Sequence, residues 1–293
     1  MKIKRVCIVA SSIAFVIIAM IYLLCFSRTK MNILSSAYNE KGLELCNSKN
    51  YNEGIKYLDK AIKINPNNSF AYYNKGQALY QMNKNEDAVK CFDQAITISP
   101  KDSFIFSSVL TNSYEKMGKT FYDQKKYKES IKYFDVAIKF ASNGDYIPYY
   151  YEGIDFYQIG NYDKAINSFD KSIQRNPKVD NLYAGKGLAL QKEYKFDEAL
   201  TCMDKGLELN SKNYVLYTDK GLVLHNMGKY DEALKCFDKA IELNPSDYIA
   251  YFNKGRTLKS NSKSDEAKIA FEQAIKINPD FTNAKIELER MSK

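Results

Sequence analysis

The chain has 293 residues, 45% apolar and 27% charged, a balance that excludes both a disordered tail and a protein buried throughout in a membrane. Its formal charge is +8, yet five bases (Lys2, Lys4, Arg5, Arg28, Lys30) fall within residues 1–34, which hold no acid. The remainder carries 38 bases against 35 acids and has no basic stripe for nucleic acid.

In chain order, the first predicted element is a transmembrane helix at about 6–26. Val6 to Phe26 is an uncharged run of 21 residues, and a helix of that length spans ~31 Å, the thickness of a bilayer's hydrocarbon core. A cleaved signal peptide would also open on Lys2, Lys4 and Arg5. However, the run exceeds the usual ~7–15 apolar residues, Arg28 and Lys30 follow it, and "LLCFS" offers no small-residue exit. The expectation is an uncleaved single-pass anchor in the cell membrane, touching the lipid bilayer through residues 6–26. Three basic side chains precede the span and two follow it, which points to an inside N-terminus and an extracytoplasmic remainder. The eight residues 27–34, "SRTKMNIL", form a short linker that reaches at most ~27–29 Å when extended, and so keep the rest of the chain near the membrane surface.

From Tyr51 onward one sixteen-residue phrase recurs seven times. It reads "YNEGIKYLDKAIKINP" at Tyr51 and "YDEALKCFDKAIELNP" at Tyr230, and the other copies begin at Asn85, Tyr127, Tyr162, Phe196 and Ser264. The spacings are 34, 42, 35, 34, 34 and 34. Each phrase has helical periodicity, with acids in its first turn and, in most copies, a proline at its end. A second helical half precedes each copy, marked by Tyr and Gly four residues apart on one face: Tyr38 with Gly42, Tyr72 with Gly76, Tyr114 with Gly118, Tyr149 with Gly153, Tyr183 with Gly187, Tyr217 with Gly221 and Tyr251 with Gly255. The predicted units are 35–68, 69–102, 111–144, 146–179, 180–213, 214–247 and 248–281. The longer spacing leaves an insert at 103–110, "SFIFSSVL", expected to lengthen the third unit's first helix and to bury its apolar side chains on the array itself. Cys91, Cys202 and Cys236 share one register and read as small buried hydrophobes. With a single histidine, His225, and no CxxC, almost nothing is left from which to build a zinc site. The closing residues 282–293 read as a capping helix that solvates the last apolar face.

The Gly, Ala, Phe and Pro positions and the period of 34 resemble the tetratricopeptide repeat, W-x2-L-G-x2-Y…A-x3-F…P, over residues 35–281. Tyr replaces the first aromatic throughout, and Gly54 and Ser130 replace the alanine, which is expected to loosen the packing. The resemblance implies an all-α fold: an α-solenoid, a right-handed superhelix of seven helix-turn-helix repeats plus a C-terminal capping helix, preceded by one transmembrane helix. It also implies that first helices line a concave groove for extended or helical peptides. The groove candidates on that mapping are Phe70, Tyr73, Gln77 and Tyr80 in the second repeat, Tyr122 in the third, and Ile147, Tyr150, Ile154 and Tyr157 in the fourth. Some family members clamp a peptide carboxylate with Lys and Asn in their first repeat. Here Asn39 and Leu43 stand in those places, so that clamp is not expected.

No P-loop, GxGxxG, HExxH or GxSxG run is present, and no catalytic residue, metal site or cofactor is predicted. The expected function is a membrane-anchored scaffold that binds a peptide or helix of a protein partner in the concave groove. A self-associating structural component of an envelope assembly is the alternative, and an enzyme acting on envelope polymers a remote one. The abundance of Lys, Asn, Ile and Tyr points to a bacterial genome of low GC content.

Overall fold

The computed structural model describes residues 2–102 and 105–291, with side chains for residue 20, 24–102 and 105–291. Among the described residues there are fifteen helices and no strand. They run in hairpins: α1 (Lys2–Asn47) with α2 (Tyr51–Ile64), α3 (Ser69–Gln81) with α4 (Asn85–Ile98), and α5 (Ser107–Asp123) with α6 (Tyr127–Phe140). There follow α7 (Ile147–Gln158) with α8 (Tyr162–Arg175), α9 (Asp180–Lys192) with α10 (Phe196–Leu209), α11 (Tyr214–Asn226) with α12 (Tyr230–Leu243), and α13 (Tyr248–Ser260) with α14 (Ser264–Ile277). The last helix, α15 (Thr282–Met291), packs on α14. The contacts divide the chain into two compact units, 1–117 and 118–293, and the division falls inside α5. Each unit is a stack of helical hairpins, because an isolated helix of 13 or 14 residues is marginal in water and persists only by burying its face on the next.

Every hairpin turns in the same way. One residue at the end of the first helix takes the left-handed conformation: Lys49, Asn83, Lys125, Gly160, Tyr194, Gly228 or Ser262, with φ between 58° and 79°. The N–H that follows returns to the carbonyl five residues earlier, as from Lys229 to Leu224 at 2.9 Å, which closes the helix with a Schellman motif. Only two of the seven residues are glycines, so packing of the hairpin overrides the ~1–2 kcal/mol that a side chain loses there.

Inside each hairpin a ring fills the notch left by the signature glycine. A Cβ added to Gly76 or Gly221 would lie 2.7 Å from the Phe92 or Phe237 ring, so both positions need glycine for close approach. The departures from the repeat pattern do not loosen it. At Gly54 the room of a methyl is taken by the Cys46 sulfur, 2.4 Å from where a Cβ would stand. The Ser130 hydroxyl is buried and donates to the Gly118 carbonyl at 2.8 Å. The described cysteines are free, and burial pushes the thiols of Cys91, Cys202 and Cys236 up, away from reactivity.

Two features differ from a plain array. Residues 27–34 lie within α1, since "SRTKMNIL" contains neither Gly nor Pro to stop a helix, and they rise only ~12 Å where an extended linker would reach twice that. Among the described residues no helix is long and apolar enough to cross a membrane. Most of the 6–26 segment on which a crossing was expected lies outside the residues with described side chains. The insert adds four residues to α5 ahead of position 111, one helical turn and not two. Phe104 lies outside the described residues, but Phe106 is 7% exposed and stacks on Tyr73 with ring centroids 3.5 Å apart.

Candidate functional site

In unit 1 the predicted groove residues of the second repeat are largely engaged by their own chain. Tyr73 is buried under Phe106, and Phe70 meets the same ring edge-on at 5.3 Å. Tyr80 has the Lys116 ammonium 5.1 Å from its ring centroid. Gln77 lines a cleft of about 300 Å³ with Leu43, Asn74 and Gln81.

In unit 2 Tyr122 packs against Tyr127 and Tyr151, with centroids 5.9 and 5.8 Å away, and Ile147 is half-buried at the start of α7. The other three candidates come together. Tyr150, Ile154 and Tyr157 of α7, with Leu188 of α9 and Val215 and Asp219 of α11, line an open cavity of about 300 Å³. Its rings are partly braced, Tyr150 by Phe169 at 6.1 Å and Tyr157 by Tyr162 at 5.6 Å. Among the described residues no segment covers the space between them, in contrast to Tyr73.

Sequence reasoning missed the acids on these helices. Four lysines at equivalent positions reach back to an aspartate of the preceding hairpin: Lys75 to Asp59, Lys186 to Asp170 and Lys254 to Asp238 at 2.6 Å each, and Lys220 to Asp204. In the fourth hairpin Glu152 stands at the lysine's place and faces Asp135, so two carboxyls meet where a bridge recurs elsewhere. Burial first, then the hydrogen bond and charge of Asp135, push Glu152 up to about 7, while the Ser168 hydroxyl donates to it at 2.6 Å. Asp155 is fully buried and neither of its oxygens has a hydrogen-bond partner, because the neighbouring Ser130 hydroxyl is given to Gly118. Burial and then the Glu152 charge raise it to about 7 as well. Ala78, Ala189 and Val223 occupy the equivalent place in other repeats and are buried too, so Asp155 is a carboxyl in a core position. Asp219 is likewise raised to about 7, by burial and then by Asp247. A comparison of the copies position by position marks Glu152 and Asp155 as exceptions; only the fold shows what they face.

His225 is tied into the array by Thr257. The Thr257 hydroxyl gives its hydrogen to the Asn253 carbonyl at 2.7 Å, so it accepts from His225 Nδ1 at 3.0 Å. Burial, then the charge of Arg256, hold the imidazole below its ordinary range. Among the described residues no cluster of His, Cys, Asp or Glu could hold a metal ion.

Family models described as "Tetratricopeptide repeat" match residues 35–68, 69–102, 147–179, 214–247 and 236–269, together more than half of the chain. No curated protein matches it. Among solved structures, TTC0263, a thermophilic TPR protein of Thermus thermophilus, is 17% identical, with a TM-score of 0.55 over 62% of this chain and 98% of that one. MamA from Desulfovibrio magneticus RS-1 is 19% identical, with a TM-score of 0.51 over 59% and 97%. The APC/C hetero-tetramer Cut9–Hcn1 is 16% identical, with a TM-score of 0.56 over 87% of this chain and 49% of that one. At these identities the likeness is one of fold.

Proposed function

We propose that this chain, which belongs to the tetratricopeptide repeat family, is a scaffold that binds an extended or helical segment of a protein partner on the face formed by α7, α9 and α11. The observation that carries the reading is the cavity between Tyr150, Ile154, Tyr157 and Leu188, an apolar surface with polar tips that its own chain leaves open. Phe70, Tyr73, Gln77, Tyr80, Tyr122 and Ile147 are not needed for it. Aromatic anchors dominate such interfaces, each worth about 2 kcal/mol or more. The double variant Tyr150→Ala/Tyr157→Ala is therefore expected to lose partner cross-links in intact cells, by tenfold or more, while its helical circular dichroism is unchanged. Retention of every partner by the folded double variant overturns the reading.

The same proposal places residues 6–26 in a bilayer, with the N-terminus inside, on the strength of their uncharged length. The first hairpin then stands close to the lipid surface, since α1 runs on without a break. A lysine at mid-span costs ~3 kcal/mol. The parent chain is expected to stay in the membrane pellet after alkaline carbonate extraction, and Val16→Lys/Ile17→Lys to appear in the supernatant. A parent chain that is itself extracted removes the anchor.

A further inference from the structure

The cavity on α7, α9 and α11 holds one feature that binding by shape does not require. Asp219 is the one charged residue lining a hollow whose other walls are mostly apolar and aromatic, with the amides of Gln158 and Asn181 besides, and among the described residues it has neither a hydrogen bond nor an ion pair. The acids Asp180 and Asp247 beside it are satisfied. Asp180 accepts from Asn210 at 2.9 Å and Asn213 at 2.7 Å. Asp247 accepts from the Thr218 hydroxyl at 3.1 Å and from the Ile249 and Ala250 N–H groups that it caps. Nor does a basic group answer Asp219: Lys220, next in sequence, is held by Asp204, and Lys186 by Asp170.

The shape of the hollow is set by a second glycine in α9. Gly185 lies two residues before the signature Gly187, and a Cβ there would stand 2.6 Å from the Phe169 ring, so this buried ring packs against α9 beneath the hollow because the position has no side chain. About 300 Å³ is at the lower end of ligand cavities and takes one long side chain, not a second helix. Apolar walls at Ile154, Leu188 and Val215 suit an aliphatic stem, and the Tyr150 and Tyr157 rings suit a cation at its end.

We propose that this hollow is a recognition pocket for a single lysine or arginine side chain of the bound peptide, with Asp219 as its counter-ion and the Tyr150 and Tyr157 rings around the charged head. The proposal rests on the groove reading and adds the chemistry of the ligand. A cation supplies the partner that Asp219 lacks, and in this desolvated place the pair is stronger than at the surface. The Asp247 charge nearby, which opposes ionisation of Asp219, adds to the attraction for a cation. A neutral side chain of the same length leaves the carboxyl unanswered and is rejected for that reason.

The test is selection of phage-displayed random twelve-residue peptides on the full chain in detergent micelles. The tightest binder is then synthesised with each Lys replaced by norleucine or each Arg by citrulline. The expected result is enrichment of a base flanked by apolar residues, with a dissociation constant at least tenfold higher for the uncharged peptide on the parent chain. On Asp219→Asn the charged and uncharged peptides should bind alike. If the selected peptides depend on Tyr150 and Tyr157 but carry no base, or tolerate its replacement on the parent chain, the pocket assignment is overturned and the groove stands. If no selected peptide responds to Tyr150→Ala/Tyr157→Ala, the groove reading fails and this proposal with it. The peptide replacements are made against the unaltered protein, so the outcome does not depend on how the variant folds.

Discussion

At pH 8 the Glu152→Lys protein unfolds at a higher urea concentration than the parent chain, with unit 2 gaining about 2 kcal/mol. The reason lies in the place Glu152 occupies. Four other hairpins pair a lysine there with an aspartate of the hairpin before, whereas Glu152 meets Asp135 and is buried. Its folded pKa of about 7 stands above the 4.5 of an ordinary glutamate. The native state therefore keeps a proton that the unfolded chain has lost in that interval, and its stability falls as pH rises through it. A displacement of this size corresponds to a cost of about 3 kcal/mol once the pH is above 7. Lysine removes that cost and restores the bridge to Asp135, while the Ser168 hydroxyl loses its acceptor, for about 1 kcal/mol. Urea titrations at pH 5 and pH 8 are the check. The parent should be more stable at pH 5 than at pH 8, and the variant's advantage should shrink there, because the native Glu152 is then protonated and most of its cost to the parent is gone. Equal destabilisation by the lysine at both pH values would falsify the carboxyl pair. Asp155 contributes with the same sign, and removal of the Glu152 charge eases it as well, since that charge adds to burial in raising its pKa.

The second large effect is expected at the insert. Phe106→Ala should destabilise unit 1 by about 3–4 kcal/mol, as truncation of a buried Phe does, because the ring is 7% exposed and stacks on Tyr73. Ile105→Ala, one residue earlier and 70% exposed, should change stability by less than about 0.5 kcal/mol. The pair of variants separates the packing of the insert from its mere length. Thermal unfolding monitored by circular dichroism is the measurement, and equal effects of the two substitutions would contradict the placement of Phe106. The same substitution bares Phe70 and Tyr73, so increased binding of an apolar dye should accompany the loss of stability.

Much of the site was legible only in part. Tyr150, Ile154 and Tyr157 were marked by their positions in the repeat, and they do share a cavity. Tyr73 was marked by the same rule but lies under Phe106 of the insert, a contact between distant positions that no local pattern reports. Asp219 sits in "YTDKG", which reads as an ordinary polar turn of helix, and Gly185 reads as a spare glycine beside Gly187. Their significance comes from the hollow they share with α7, and that depends on which faces neighbouring hairpins turn toward each other.

By itself the sequence determined the unit of this protein: the period, the two helices of each hairpin, the glycine and the ring that meet within it, and the lack of catalytic motifs. These follow from local rules, since helical spacing, proline, glycine and side-chain size act over a few residues or within one hairpin. The tertiary structure alone decided what the departures from the rule face. It set Glu152 against Asp135, closed Phe106 over Tyr73 and, among the described residues, left Asp219 without a partner. Each of these depends on side chains from different hairpins, and its energy comes from burial and charge that arise only when those hairpins stack.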